Sequence, residues 1–322
     1  MDELAEALGA ERRNLTFLFG PRFLAPIRYF VLFFRTGLVL LKKRPEVIVA
    51  QNPPIFLALA CFPYCKLGRK KLFIDHHAVW STKTLGKGFI GKNIRRLERY
   101  ASSHVQGNTT PHPAWTRELT ELGARNVLTV YDHVGAIAKG KENIREKYSL
   151  GREKVILAPH GGHPLEQIEA EIEAVGKIDS ISLVISGPEP KMKKRIERIK
   201  LPANVIYAGF LPKGEYQQLE STVDIGLSVT DEPFTLSHSL LEFASLGIPI
   251  ISSRQSVVEE LFGDSVMYVE SSKPKDVELA LRTLATDHEL LMQYKEKIRN
   301  KYKELEMERA SSVGKLRKMI IG

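Results

Sequence analysis

The chain has 322 residues, more than one hydrophobic core usually covers, so two domains are expected. Hydrophobic residues at 43% and charged residues at 26% are ordinary for a globular protein and exclude a disordered or fibrous chain. The charge is uneven: residues 1–150 carry 24 Lys and Arg against 12 Asp and Glu (+12), residues 151–322 carry 23 against 26 (−3), and together they give the net +9.

The opening MDELAEALGAE is acidic where a targeting segment would be basic, so no signal peptide is expected and a cytoplasmic setting fits. Asn14 to Leu18 reads as a strand and 26–43 as a helix. Within PIRYFVLFFRTGLVLLKKR (26–44) the apolar run Tyr29 to Leu41 is 13 residues long and contains Arg35, too short to span a bilayer. Two readings stay open: a helix packed on a sheet with its basic end in water, or one lying in a membrane interface with Phe30, Phe33 and Phe34 exposed. Strands at Val47 to Ala50, Lys71 to Ile74, Val105 to Gln106 and Val127 to Val130 then alternate with helices at Ile55 to Leu67, Lys92 to Ser102 and Trp115 to Leu122. This is the rhythm of a doubly wound parallel sheet. Cys61 and Cys65 stand C-x₃-C with no second pair, which argues against a disulfide framework and against zinc.

The polar stretch KGKENIREKYSL (139–150) interrupts the pattern and marks a boundary. The expected domains are 1–146, strongly basic, and 147–300, with a helix over 301–322 packing back on the first. Strands at Val155 to Ala158, Ile181 to Ile185 and Val205 to Tyr207 alternate with helices at 164–175, 190–199 and Lys213 to Ser221. The most informative stretch is Asp224 to Ser253. Ile225 to Val229 and Ile248 to Ile251 are short apolar runs suited to buried parallel strands. Between them Thr235 or Ser237 can cap a helix that Gly247 and Pro249 stop. A helix starting just past the carboxyl end of a parallel strand points free N–H groups into the ligand crevice, so Ser237, His238 and Ser239 suit a phosphate. Glu242, further along, can accept hydrogen bonds from the vicinal hydroxyls of a ribose; the bland alternative is a solvated helix residue. Gly161 and Gly162 in APHGGHPLE let the backbone approach a phosphate, with His160 or His163 as a further donor and Lys191 as a basic side chain for the diphosphate. His160 and His163 lack the Cys or carboxylate company of a metal site, so no metal and no cofactor is expected.

In the first half, Asp75, His76 and His77 follow a strand, as do Gln51 and Asn52. An imidazole titrates near physiological pH, so Asp75 and His77 are the candidates for a general base, with Gln51, Asn52 and His76 beside them. The alternative is that Asp75 caps the next loop and the histidines are polar loop residues. No motif for binding nucleic acid is present, and the basic half points instead to an anionic membrane surface or a diphosphate-linked lipid.

SLVISGPEP (182–190), NVIYAGFLPKGEYQQLESTVDIGLSV (204–229) and IISSRQSVVEEL (250–261) resemble the donor domain of GT-B glycosyltransferases. VIVAQNPP (47–54), KLFIDHH (71–77) and LTVYDH (128–133) resemble, more narrowly, the branch of the dolichol-diphosphate chitobiose β-mannosyltransferases and related prokaryotic group 1-type enzymes. The resemblance implies an α/β GT-B fold, two Rossmann-like domains facing a central cleft, the first (1–146) facing acceptor and membrane and the second (147–300) binding the nucleotide sugar, with Glu242 on the donor ribose, His77 at the position of the branch's histidine, and Gln51, Asn52 and His76 on the acceptor side. It implies a hexosyltransferase moving a sugar, with mannose the first candidate, from a GDP- or UDP-linked donor to a lipid-linked or glycan acceptor, peripheral on the inner face of a membrane. Two departures stand out. Phe234 lies eight residues before Glu242 where the retaining branch has a second Glu, Asp231 and Glu232 being the nearest acids, and the loop after the first donor-domain strand lacks that branch's Arg and Lys. They keep open a nucleotide-sugar epimerase of the same fold and a non-catalytic partner subunit.

Overall fold

The computed structural model describes residues 2–17, 24–77, 88–135, 144–151, 154–231, 236–271 and 273–321. The chain divides into two compact units, Met1–Asp132 with Glu306–Gly322, and His133–Leu305.

The first unit contains α1 (Asp2–Leu8), α2 (Ala25–Lys43), β1 (Val47–Asn52), α3 (Ile55–Gly68), β2 (Lys71–His76), α4 (Phe89–His104), β3 (Gly107–Thr110), α5 (Pro113–Glu121) and β4 (Val127–Thr129). Its strands make one parallel sheet in the order β1-β2-β3-β4. The period of two along β2 decides what each face packs. Leu72 and Ile74 join Leu40 of α2, Ala58, Cys61 and Cys65 of α3, and Ala101 of α4, so those three helices form a layer on one face. Phe73 points the other way, onto Val130 and the buried Val313 and Leu316. Burying one such side chain stabilises the fold by about 1.5–3 kcal/mol. Two strand expectations shift. Residues 14–17 belong to no strand, and Leu18 lies outside the described residues. The short strand expected at 105–106 begins instead at Gly107, where Asn108, Thr109 and Thr110 are polar yet fully buried.

The second unit contains α6 (Ile144–Lys147), β5 (Lys154–Pro159), α7 (Ile168–Val175), β6 (Ile181–Ser186), α8 (Glu189–Ile196), β7 (Val205–Gly209), α9 (Lys213–Glu220), β8 (Ile225–Ser228), α10 (His238–Leu246), β9 (Ile250–Ser253), α11 (Ser256–Phe262), β10 (Met267–Val269) and α12 (Pro274–Thr286). The last helix, α13 (His288–Ile321), gives its first part to this unit and its remainder to the first. The division falls earlier than 146–147 because α6 is anchored in the second unit: Ile144 is buried, and Lys147 and Tyr148 both reach Glu215.

All pairings in the second sheet are parallel, in the order β10-β9-β8-β5-β6-β7. The chain runs outward from β5 through β6 to β7, then returns to β8 on the other side of β5. That reversal opens a crevice beyond the carboxyl ends of β5 and β8, where such sheets bind ligands. Gly226 in β8 lets α10 approach closely, since a Cβ there would sit 2.3 Å from the Phe243 ring. Gly247, at φ 68°, closes α10 in the left-handed conformation that a glycine adopts without strain.

Candidate functional site

In the second unit, β5 ends in the loop His160–Gln167. The backbone N–H groups of Gly161, Gly162 and His163 all donate to the Glu166 carboxylate, at 2.7, 2.9 and 3.0 Å. Gly162 has φ 76°, which turns its N–H into this set. Below the loop, the buried His160 places Nε2 2.7 Å from Glu171 and Nδ1 3.5 Å from Glu166. Burial opposes its charge, but the two carboxylates outweigh burial and raise its pKa to about 9. Burial likewise pushes Glu166 up, and His160 with the loop amides holds it below the usual carboxylate range. The helix expected from 164 therefore starts only at Ile168, because 161–166 are used in this turn.

Across β5, Ser237 is the N-cap of α10 in extended conformation, and its Oγ lies 2.7 Å from Ser239 Oγ. His238 is mostly exposed and Ser239 is buried. Glu242, part-buried, accepts a hydrogen bond from Tyr216 Oη at 3.2 Å, with His238 Nε2 3.8 Å from its other oxygen. Tyr216 and Glu220 stand one turn apart on α9. Glu220 is fully buried, neither of its carboxylate oxygens has a hydrogen-bond partner among the described residues, and burial, then Glu242, pushes it up to about 8. Two carboxyls and a phenol thus share one corner in which Glu242 alone reaches solvent among the carboxyls. The side chain of Lys191, and residues Glu232, Phe234 and Thr235, lie outside the described part. Asp231 is held by Gln167 and Ser271.

In the first unit, the carboxyl ends of β1 and β2 pair Gln51 with Asp75 and Asn52 with His76. The alternation along β2 sends Asp75 and His76 to opposite faces. Asp75 accepts hydrogen bonds from Thr109 Oγ1 at 2.6 Å and from His77 Nε2 at 2.8 Å. Burial pushes Asp75 up, yet His77 and Thr109 hold its carboxyl below the usual range. His77 is raised, chiefly by its bond to Asp75, and its Nδ1 lies 3.9 Å from Asp132. Gln51 is part-buried beside this pair. Asn52 and His76, expected on the acceptor side, have no exposed surface, so neither offers an atom to a bound molecule. Asn108 Nδ2 donates to two backbone carbonyls, which leaves its Oδ1 to accept from His76 Nε2. His76 Nδ1 then accepts from Asn52 Nδ2, which also donates to the buried Glu98 at 2.8 Å. This network ties β1, β2, β3 and α4 together under the Asp75–His77 pair. Asp132, Glu166, Tyr216 and Glu220 lie inside stretches that the sequence singles out, yet nothing in those stretches marks them individually, and Thr109 lies outside all of them.

Residues 140–301 match the family model described as glycosyl transferases group 1. The chain belongs to the group 1 glycosyl transferases. Over 288 residues it is 22% identical to a chitobiosyldiphosphodolichol beta-mannosyltransferase of Candida albicans, covering 78% of this chain and 63% of that protein, so it spans less than two thirds of that relative. Among solved structures, HepE of Anabaena in complex with UDP and glucose aligns with a TM-score of 0.73 at 14% identity, over 91% of this chain and 82% of that one. Sucrose-phosphate synthase of Thermosynechococcus elongatus aligns with a TM-score of 0.78 at 12% identity, over 94% and 80%. These likenesses show the GT-B fold. Within this group 1 glycosyl transferase, the matched residues contain the Gly161–Glu166 turn and the Tyr216, Glu220 and Glu242 corner. The Asp75–His77 pair lies outside them.

Proposed function

We propose that this group 1 glycosyl transferase moves a sugar from a nucleotide-sugar donor, held by the second unit, to a hydroxyl of an acceptor held by the first. The observation that carries this reading is Glu242, the carboxylate in the α10 corner that reaches solvent, placed beside the reversal of the sheet where a ribose diol can be taken in two hydrogen bonds. The N–H groups at the start of α10 suit the diphosphate. In an inverting transfer, His77 Nδ1 takes the proton of the acceptor hydroxyl as its oxygen attacks the anomeric carbon, and the nucleoside diphosphate departs with the electrons of the broken bond. Asp75 fixes the imidazole through Nε2.

The finer reading is a mannosyl donor and a lipid-linked acceptor at the cytoplasmic face of a membrane. It is supported by the likeness to the beta-mannosyltransferase and by the layer of α2, α3 and α4. No helix among the described residues is long and apolar enough to cross a membrane. Yet Ile27, Phe30, Phe34, Leu38 and Leu41 of α2 are each more than half exposed, in a stripe at helical spacing. Asp and Glu are absent from α2 and α3, and the one acid of α4, Glu98, is buried. An apolar stripe on helices whose own exposed charges are Lys, Arg and His suits an anionic lipid surface, with Glu11 beside Lys43 an acid near the end of α2.

Calorimetric titration with GDP, UDP and ADP, without added metal, tests the donor reading; selective GDP binding is expected. Glu242→Ala should cost about 1.5–3 kcal/mol, or roughly 10- to 150-fold in affinity. Unchanged affinity in a folded variant overturns the ribose assignment. A second reading, a non-catalytic partner subunit, is favoured by the filled loop at Glu166, and absence of binding to all three nucleotides would select it.

A further inference from the structure

The loop after β5 already holds an anion. Three consecutive backbone N–H groups converge on one carboxylate, that of Glu166, a side chain only three to five residues further along the chain. Its geometry is that of an oxyanion receptor: a side chain at Gly161 would put its Cβ 3.3 Å from Glu166 Oε1, and Gly162 is in the left-handed region. The receptor also has a fourth donor in reserve. His160 is buried, and Glu171 holds its Nε2 at 2.7 Å, which leaves Nδ1 directed at Glu166. The loop backbone does not depend on the Glu166 side chain alone, because Arg195 donates to the carbonyl oxygens of Glu166 and His163 at 2.9 and 3.2 Å. Glu166 itself is part-exposed, so it can swing into water without opening the core.

We propose that Glu166 is an internal stand-in for a phosphoryl group: the amides of Gly161, Gly162 and His163, with His160 Nδ1, form the receptor for a phosphate of the donor, which enters by displacing the Glu166 carboxylate. This rests on the nucleotide-sugar reading above. Two anions cannot share the same three N–H groups, so the resident carboxylate lowers the apparent affinity for any phosphorylated ligand by the fraction of molecules in which the loop is open. The same factor weakens every phosphorylated ligand, so at low concentration only those that bring further contacts, such as a ribose on Glu242, still bind. The loop needs no Arg or Lys of its own, since its positive charge is the buried imidazole.

The test compares wild type with Glu166→Gln and Glu166→Ala by calorimetry, using GDP, UDP, inorganic pyrophosphate, and the nucleosides guanosine and uridine. Both variants should bind the preferred nucleotide and pyrophosphate at least about tenfold tighter than wild type, with nucleoside affinity unchanged. Equal or weaker binding of phosphorylated ligands by the folded variants overturns the proposal. A second measurement needs no variant: in wild type, saturation with the preferred nucleotide should move the amide resonances of Gly161 and Gly162, and resonances that stay still overturn it as well. The two readings fail separately. Tighter pyrophosphate binding with no nucleotide bound keeps the receptor and removes the nucleotide sugar. Nucleotide binding that Glu242→Ala weakens and the Glu166 variants leave alone does the reverse.

Discussion

At the scale of single residues, the first unit's chemistry depends on which imidazole nitrogen carries a proton. His77 Nε2 faces Asp75, which is itself fixed by Thr109, so the proton on Nε2 is held and Nδ1 is the atom able to accept one. The same carboxylate raises His77, so its base form dominates only above the ordinary histidine range. The rate of sugar transfer, or of donor hydrolysis, should therefore climb with pH through that raised value and then level off. His77→Ala should lower the plateau by roughly 10²–10⁴-fold. Asp75→Asn removes the charge that raises His77, so its acid limb should move to lower pH while the plateau falls. A pH profile that Asp75→Asn leaves in place sinks the positioning role. His76, the residue next to the base, has neither its exposure nor its contacts: it serves the network with Asn52 and Glu98, and the sequence pattern HH does not distinguish the two. What distinguishes them is the alternation of β2, which ends with His76 turned under the sheet.

At the scale of elements, α2 is amphipathic in an unusual sense. Thr36 and Leu40 are its buried residues, with the Thr36 hydroxyl returned to the Leu32 carbonyl at 2.7 Å, while the larger apolar side chains face out. Phe30 stacks edge-on against Phe34, and Arg28 lies over the Tyr29 ring. Replacing Phe30 and Phe34 together by Ser should reduce binding to anionic vesicles at least about tenfold and change folding stability by less than about 0.5 kcal/mol, since both rings are exposed. Flotation with anionic and zwitterionic vesicles, at low and high salt, checks it; retention of the double variant on anionic vesicles excludes α2 as the contact. The existence and order of most elements were legible from apolar runs and their stops, as with β5, β8 and the helix closed by Gly247. Their ends were less so. Strand β3 is polar yet buried, so no apolar run announces it, and α7 starts late because Glu166 folds back on the loop, an arrangement that spacing alone does not encode. The site divides in the same way: Glu242 and Ser237 follow from a helix placed after a strand, whereas Glu220 looks like any acid at a helix end until its burial is known.

At the scale of the whole molecule, the two units differ in charge and in how they hold it. The buried ionisable groups of the second unit place its stability on the acid side of neutrality. His160 has its folded pKa raised to about 9, so its ion pairs stabilise fully below the ordinary histidine value and are lost as pH rises through about 9. Glu220 is raised to about 8, so the folded unit keeps a proton that the unfolded chain releases near pH 4.5, and stability falls as pH climbs from there to about 8. Both signs agree. The unfolding transition of the second unit should weaken by about 2–4 kcal/mol between pH 6 and pH 9, a figure reduced from the full linkage value because buried groups relax. Glu220→Gln keeps the shape of the protonated acid and cannot ionise, so it should flatten part of that loss and leave the variant more stable than wild type at pH 9. Denaturant unfolding across this range, followed by a probe in the second unit, reads both effects. A wild-type stability that holds level from pH 6 to pH 9 would mean that Glu220 and His160 titrate as they do in the unfolded chain. The corner beside Glu242 would then carry two negative charges at neutral pH, and Glu242 would no longer be the sole anion there to receive a ribose.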